Sequence, residues 1–487
     1  MAFLEDTTEE TLAAIAKAQT TGITSSTGVV SYDLSGIVSL IPVVTPFREK
    51  VARVKSPNGN PYAVWRALLN LNNSQSSPAP GLDYASNEVL FQEQDFQAKY
   101  QAIGYAGFVT QDAFDLAQGL FDPYANATFQ TLNQTLIGED RLLVGGQSFA
   151  LPTPATPTLT KVSSGGSIGS VQVYVAVAPR TGYNYFYGGN GRASSANTTF
   201  STGTTNSLTA SIAAVRGAVA YDWFQSANGS TWYYYSTTTV ANVTMTSVIS
   251  ANNAVDAVAN VDISSGVPTV STSADNGSAQ ANNIDGLLAT LSGDYNTAGQ
   301  FVTKGTATAN PSQFIDGGGS ALTLSGGSVA QIEQLFAQIY GAVKASPTAL
   351  MVSPEQAQEI ANLVLGSSSA VTYLQTDAEG RVNTTAGGRV GQIVNTPAGG
   401  VLVPIEVHPS VQDGTIIART DRVPFPQSGI SSTLEVRTLR DYSQFDYGIN
   451  RTAGQAGGGP RKEFEIRSVE AFVNRAPVSM GVLSNIS

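Results

Sequence analysis

The sequence predicts an α+β frame interrupted once by an all-β module. Three observations carry that reading. Between residues 151 and 283 charge nearly vanishes: Lys161, Arg180, Arg192, Arg216, Asp222, Asp256, Asp262 and Asp275 are the only charged residues there, in a chain with 61 of them. Within that stretch VQVYVAVA repeats with a period of two, putting Val171, Val173, Val175 and Val177 on one strand face. Outside it, SVAQIEQLFAQIYGAV sets Val329, Ile332, Leu335, Phe336, Ile339 and Val343 along one helical stripe.

Taken in order, residues 1–36 read as an arm. A short helix is expected over Glu9–Ala18, before the Ser/Thr/Gly stretch TTGITSSTG. So short a segment cannot bury a core alone and must lie on something else. Residues 37–55 include SLIPVVTPFREKVARVK, where an apolar run with two prolines leads into Arg48, Lys50, Arg53 and Lys55. Each proline removes a backbone donor and restricts the residue before it, so extended chain is expected. Four cations in eight residues stand out in a chain of net charge -11.

Residues 61–109 read as a long hairpin around the turn-rich NNSQSSPAPGLD. Its arms carry modest apolar content, so it needs a neighbour to cover it. Residues 110–146 read as helix, with Asp122 as N-cap, Pro123 at the first helical position and Gly145-Gly146 as the stop. Phe129, Leu132, Leu136 and Leu143 fall near helical spacing. The proline-rich LPTPATPTLT then opens the module at 151–283. There VRGAVAYDWFQSANGSTWYYYSTTT reads as two strands around Asn228-Gly229, and short strands at regular spacing predict a β-sandwich. From 284 the mixed pattern returns. The helix over 329–343 is followed by the buried-type strand ALMVS and by SPEQAQEIANLVLG, a helix with a Ser-Pro start. VGQIVN, GGVLVPIEVHP, GTIIART and EFEIRSVEAFVNRAPVSMGVL read as strands.

The chemistry that can be excluded is considerable. With no cysteine there is no disulfide, thiol nucleophile or cysteine metal site. The acidic start MAFLEDTTEETL lacks the features of a signal peptide, so synthesis in a cytoplasm is expected. No run of about 18 apolar residues predicts a membrane span. His408 is the only histidine, and a lone His beside Pro at a strand end reads as structural. No P-loop pattern occurs. GGGSALTLSGGS reads as a surface loop, and DNGSAQANNIDG lacks the EF-hand order. The carboxylate pairs Glu139-Asp140 and Glu463/Glu465 read as solvated charges, although such pairs can serve glycosidases. No cofactor and no enzymatic activity are expected. The dense aromatics Tyr183, Tyr185, Phe186, Tyr187, Trp232, Tyr233, Tyr234 and Tyr235 leave two readings open. They are sandwich core with contact residues, or some of them, Trp232 and Tyr234 foremost, face outward and contact glycans.

The order of these parts carries a resemblance. The extended LIPVVTPFREKVARV, a long hairpin, a helix ending in TLNQTLIGEDRLLVGG, then IDGLLATLSG and IEQLFAQIYGAVKASPTALMVSPEQAQEIANL resemble the major capsid proteins of tailed bacteriophages, with the Hong Kong 97-type fold. The likeness covers about 1–148 and 284–487. It implies an N-arm over 1–36 and an E-loop over 56–109 within a first capsid segment, 37–148, that also holds a spine helix over 110–146. The second segment, 284–487, would hold an axial domain over much of 284–460 and peripheral strands near 463–483. The insert over 151–283 resembles an immunoglobulin or fibronectin-type sandwich, with AYDWF holding its core Trp, and is expected on the outer face for adhesion or reinforcement. The resemblance implies hexamers and pentamers in a virion shell, a portal protein, and packaged double-stranded DNA held without sequence specificity. A separate scaffolding protein, or none, is expected. No lysine lies between Lys55 and Lys99, so the Lys–Asn weld of some relatives is not expected at the hairpin tip. Arg48, Lys50, Arg53 and Lys55 are expected to meet acidic groups across subunit contacts. An encapsulin-type compartment is the alternative of the same fold; a surface adhesin with a sandwich module is the more distant one.

Overall fold

A computed structural model describes residues 42–56, 59–70, 76–78, 87–117, 122–149, 151–191, 193–200, 204–249, 283–292, 312–325, 327–365, 390–423, 432–450 and 460–487, with two-residue pieces at 294, 301, 375 and 382. The arm over 1–36, most of the hairpin turn and residues 250–282 lie outside the described residues.

Labels here count elements of four residues or more. The first segment runs α1 (Pro46–Lys50), β1 (Ala52–Lys55), β2 (Tyr62–Asn70), β3 (Gln92–Lys99), β4 (Gln101–Thr110), α2 (Gln111–Leu116) and α3 (Pro123–Gly145). The residues expected to be extended throughout 37–55 thus contain a helical turn, because Pro46 suits the first helical position. The expected hairpin is β2 paired antiparallel with β3, while β4 leaves it for another sheet. As expected, Asp122 caps α3, accepting from the Tyr124 and Ala125 N–H groups at 2.9 and 3.1 Å. The expected stripe on α3 holds only toward its C-terminal end: Leu143 is buried but Phe129 is exposed.

The inserted stretch contributes β5 (Thr158–Val162), β6 (Gln172–Arg180), α4 (Gly182–Tyr187), β7 (Asn197–Phe200), β8 (Ser207–Ser211), β9 (Ala220–Ser226), β10 (Tyr233–Thr238) and β11 (Asn242–Met245). They form a four-stranded sheet, β10-β9-β6-β7, and a three-stranded sheet, β11-β8-β5. Val173, Val175 and Val177 of β6 and Trp223 of β9 share one core with Leu208 of β8 and Met245 of β11, so the two sheets pack as a sandwich. The strand order corrects the immunoglobulin expectation. In that fold the first and second strands pair and the third joins the sixth and seventh. Among the described strands the first pairs with the fourth and the second with the third and fifth.

The second segment runs α5 (Leu287–Ser292), β12 (Gln313–Ser320), α6 (Ala330–Val343), β13 (Ala349–Val352), α7 (Pro354–Leu365), β14 (Gln392–Asn395), β15 (Val401–Val407), β16 (Ile416–Arg419), β17 (Leu434–Asn450), β18 (Arg461–Asn474) and β19 (Gly481–Ile486). Two sheets organise the frame. A long one has the order β1-β17-β18-β4, and α3 lies against β4 and β18. A six-stranded one has the order β12-β19-β16-β13-β15-β14. The α6 stripe, Val329 to Ile339, is buried against that second sheet, as the periodicity predicts. The expected peripheral set over 463–483 divides: β18 joins the long sheet and β19 the six-stranded one. Conversely β17, expected with the axial residues, lies in the long sheet.

Candidate functional site

The basic ribbon folds where the two frame sheets meet. Helix α1 turns Phe47 inward, where it packs near Phe472 and edge-on to His408. A helix start leaves backbone donors without partners. Here the Phe47 and Arg48 N–H groups donate to Asp140 Oδ1 at 3.1 and 2.9 Å. Asp140 comes from α3, more than ninety positions away, so no local signal announces this cap. Its other oxygen lies 3.1 Å from His408 Nε2. His408 Nδ1 accepts from the Ser410 N–H at 3.0 Å, which leaves the ring proton on Nε2. Those contacts hold the buried His408 ring beside α1.

Glu139, the neighbour of Asp140, is fully buried. It accepts from Arg48 Nε at 2.5 Å, and also from Arg53 and the Tyr442 hydroxyl. Arg53 reaches further, to Glu470 on β18, at 2.7 Å. Both guanidiniums sit over the Tyr442 ring, at 5.7 and 5.6 Å. Two arginines thus face two buried carboxylates. Burial works against the charge on each arginine, but the hydrogen bond and charge of Glu139, joined at Arg53 by the charge of Glu470, outweigh it, so both are held above their ordinary value. Burial, then the Glu139 charge, pushes Glu470 up to about 8. Burial and the same two carboxylates hold the Tyr442 phenol high. Removing one partner of such a buried pair costs about 3–5 kcal/mol, because the other charge is stranded.

Lys50 extends the network to the second sheet. It pairs with Glu406 of β15 at 2.6 Å, and Glu406 meets the buried Arg419 of β16 at 3.2 Å. Arg419 also holds Asp421 at 2.9 Å and lies over the Phe47 ring. A hollow of about 310 Å³ opens between α1 and β15 at this point. Lys55, at the end of β1, is exposed.

Several sequence expectations change here. Arg48, Lys50 and Arg53, expected to meet acids across subunit contacts, find acids within their own chain. Glu139-Asp140, read as solvated, is the buried centre of the cluster. Trp232 and Tyr234, offered as surface candidates for glycan contact, are 2% and 4% exposed, so neither presents a ring face to a sugar. Trp232 and Tyr234 pack with Phe224 in a small core on the four-stranded sheet. Tyr183, Tyr185, Phe186 and Tyr187, read among the dense aromatics of the sandwich, form the short helix α4. Tyr442, Glu470 and Arg419 escaped the sequence reading altogether. One signal existed: Glu139 shares its helical face with Thr135, Leu136, Leu142 and Leu143, an apolar setting for a carboxylate.

Among the described residues no group of three or more His, Asp or Glu side chains could hold a metal ion, and no helix is long and apolar enough to cross a membrane. No protein-family model matches the chain, and no curated protein does. Solved structures do. The capsid of the native GTA particle is similar with a TM-score of 0.43 at 7% identity, covering 96% of this chain and 99% of that one. The capsid of Cyanophage A-1(L) gives 0.46 at 10%, covering 96% and 98%. The holo-SrpI encapsulin complex from Synechococcus elongatus gives 0.36 at 10%, covering 97% and 95%.

Proposed function

We propose that this chain is a major capsid protein that self-assembles into the icosahedral head of a tailed phage. The observation that carries the reading is the β2–β3 hairpin. Its base is fixed, because Ala63, Trp65, Phe96 and Tyr100 pack on Ala471 and Val473 of β18. Further out, Leu68, Leu90 and Phe91 are 52%, 54% and 66% exposed. A two-stranded hairpin is marginal alone, and apolar side chains at its far end need a cover. A second copy of the chain supplies one. The order of hairpin, long helix and two sheets agrees with the Hong Kong 97-type resemblance, and a chain with only 13% charged residues suits packing against copies of itself.

In this reading the work is geometric. Hexamers and pentamers interlock through hairpin and arm, and shared burial supplies the strength that disulfides supply elsewhere. Double-stranded DNA is held by enclosure, a portal protein fills one vertex, and a separate scaffolding protein guides assembly. The inserted module lies on the outer surface and reinforces the shell. The role is structural rather than enzymatic.

Leu90→Asp together with Phe91→Asp tests the hairpin's part. The variant subunit is expected to keep its circular dichroism and melting temperature while sedimenting as free subunits. Normal particle yield from the double variant overturns the reading.

A further inference from the structure

The inserted module and the frame share more than a linker. The chain leaves the frame at Ser148 and returns at Asp285, and the two ends are joined. The Ser148 N–H and hydroxyl donate to the Asp285 carboxylate at 2.7 and 2.9 Å, and the Gly286 N–H donates to Gly146 O at 2.9 Å. Held there alone, the module would hinge. Two further anchors, on different layers of the frame, oppose that.

The first anchor is on α3. Helix α4 crosses its last turn so closely that a Cβ added to Gly182 would fall 2.8 Å from Gly145 Cα. Beside this crossing the Arg141 guanidinium lies 4.7 Å from the Phe186 ring centre. The second anchor is on the edge of the six-stranded sheet. Arg216 donates to Leu291 O and Ser312 O, at 3.2 and 2.6 Å, and lies over the Phe314 ring. The Ala214 N–H donates to Asp316 Oδ2 at 2.9 Å, and the Ala241 N–H to Asn485 Oδ1 at 2.7 Å. Asn485 in turn donates to Asp316 Oδ1 at 2.6 Å, tying β19 to β12 at that point. Val219 and Tyr185, both from the module, also pack with the frame core.

We propose that the module is a strut that fixes the angle between the layer of α3 and the long sheet and the layer of the six-stranded sheet. A body held at one place transmits no angle between two layers; one held at three separate places does. The second anchor is built from directional hydrogen bonds, whereas an apolar seam would let the layers slide. The close glycine contact makes the first anchor intolerant of displacement. The strut acts within one subunit, so it stands whether or not the chain forms a shell.

A strut couples its two anchors, and hydrogen exchange on the full chain reads that coupling. Gly182→Val wedges the α3 anchor and is expected to speed exchange about tenfold or more at the other one, in residues 313–320 and 481–486. Arg216→Ala is expected to do the reverse, speeding exchange in residues 138–146. Strands β6 and β9 report that the module itself stays folded. If Gly182→Val unfolds them, the Arg216→Ala arm decides alone. Exchange that changes only beside the substituted residue overturns the proposal.

Discussion

Glu470 shows how much of the ribbon junction turns on single protons. Burial, reinforced by the neighbouring Glu139 charge, pushes it up to about 8, against an ordinary 4.5. Between those values the native chain binds a proton that the unfolded chain has released. The stability from this site is therefore full below about 4.5 and is lost as the pH rises through about 8. Glu470→Gln stays neutral throughout, so it should flatten that decline. Urea midpoints from pH 4.5 to 9 measure it, and an undiminished slope in the variant would contradict the assignment. The basic half of this junction was legible in the sequence, but its acids were not. Arg48 meets a carboxylate 91 positions away, and Arg53 meets one 417 positions away. No window on the chain contains such pairs, and a count of charges implies only that partners exist.

At the scale of elements, what was legible depended on where each element finds its support. Helix α3 carries its own cap at Asp122, and α7 has its start held by the Ser353 hydroxyl, which accepts from the Gln356 N–H at 3.1 Å. Both were readable because the capping residue is adjacent. Helix α1 was missed because its cap comes from α3. In the module, the alternation of Val173, Val175 and Val177 announced β6, but strand order is a matter of distant pairing and did not show. The same distance hides the docking of the module, which the sequence presents as separable. Its ends do meet, so a short linker can close the frame after deletion of residues 151–283. That deletion also strips cover from Leu288, Leu291, Phe314 and Val482, which pack around Val219. Removing it is expected to lower the melting temperature of the frame, since each large apolar side chain uncovered costs about 1.5–3 kcal/mol. Calorimetry of the deleted chain checks this, and a frame that melts unchanged would mean the module is a passive passenger.

For the whole molecule, the two frame sheets, the ribbon junction between them and the module across them make one subunit with apolar residues left over at the hairpin. A chain with 487 residues and no cysteine must draw durability from burial. The buried network at Glu139 accounts for the inside of the subunit; in the proposed reading the exposed Leu90 and Phe91 are buried against other copies. Electron microscopy of the purified full chain, expressed with its partners, tests that claim most directly. The account predicts closed icosahedral shells of hexamers and pentamers in which each hairpin lies over a neighbouring subunit. A population of stable, monodisperse monomers under the same conditions would contradict it.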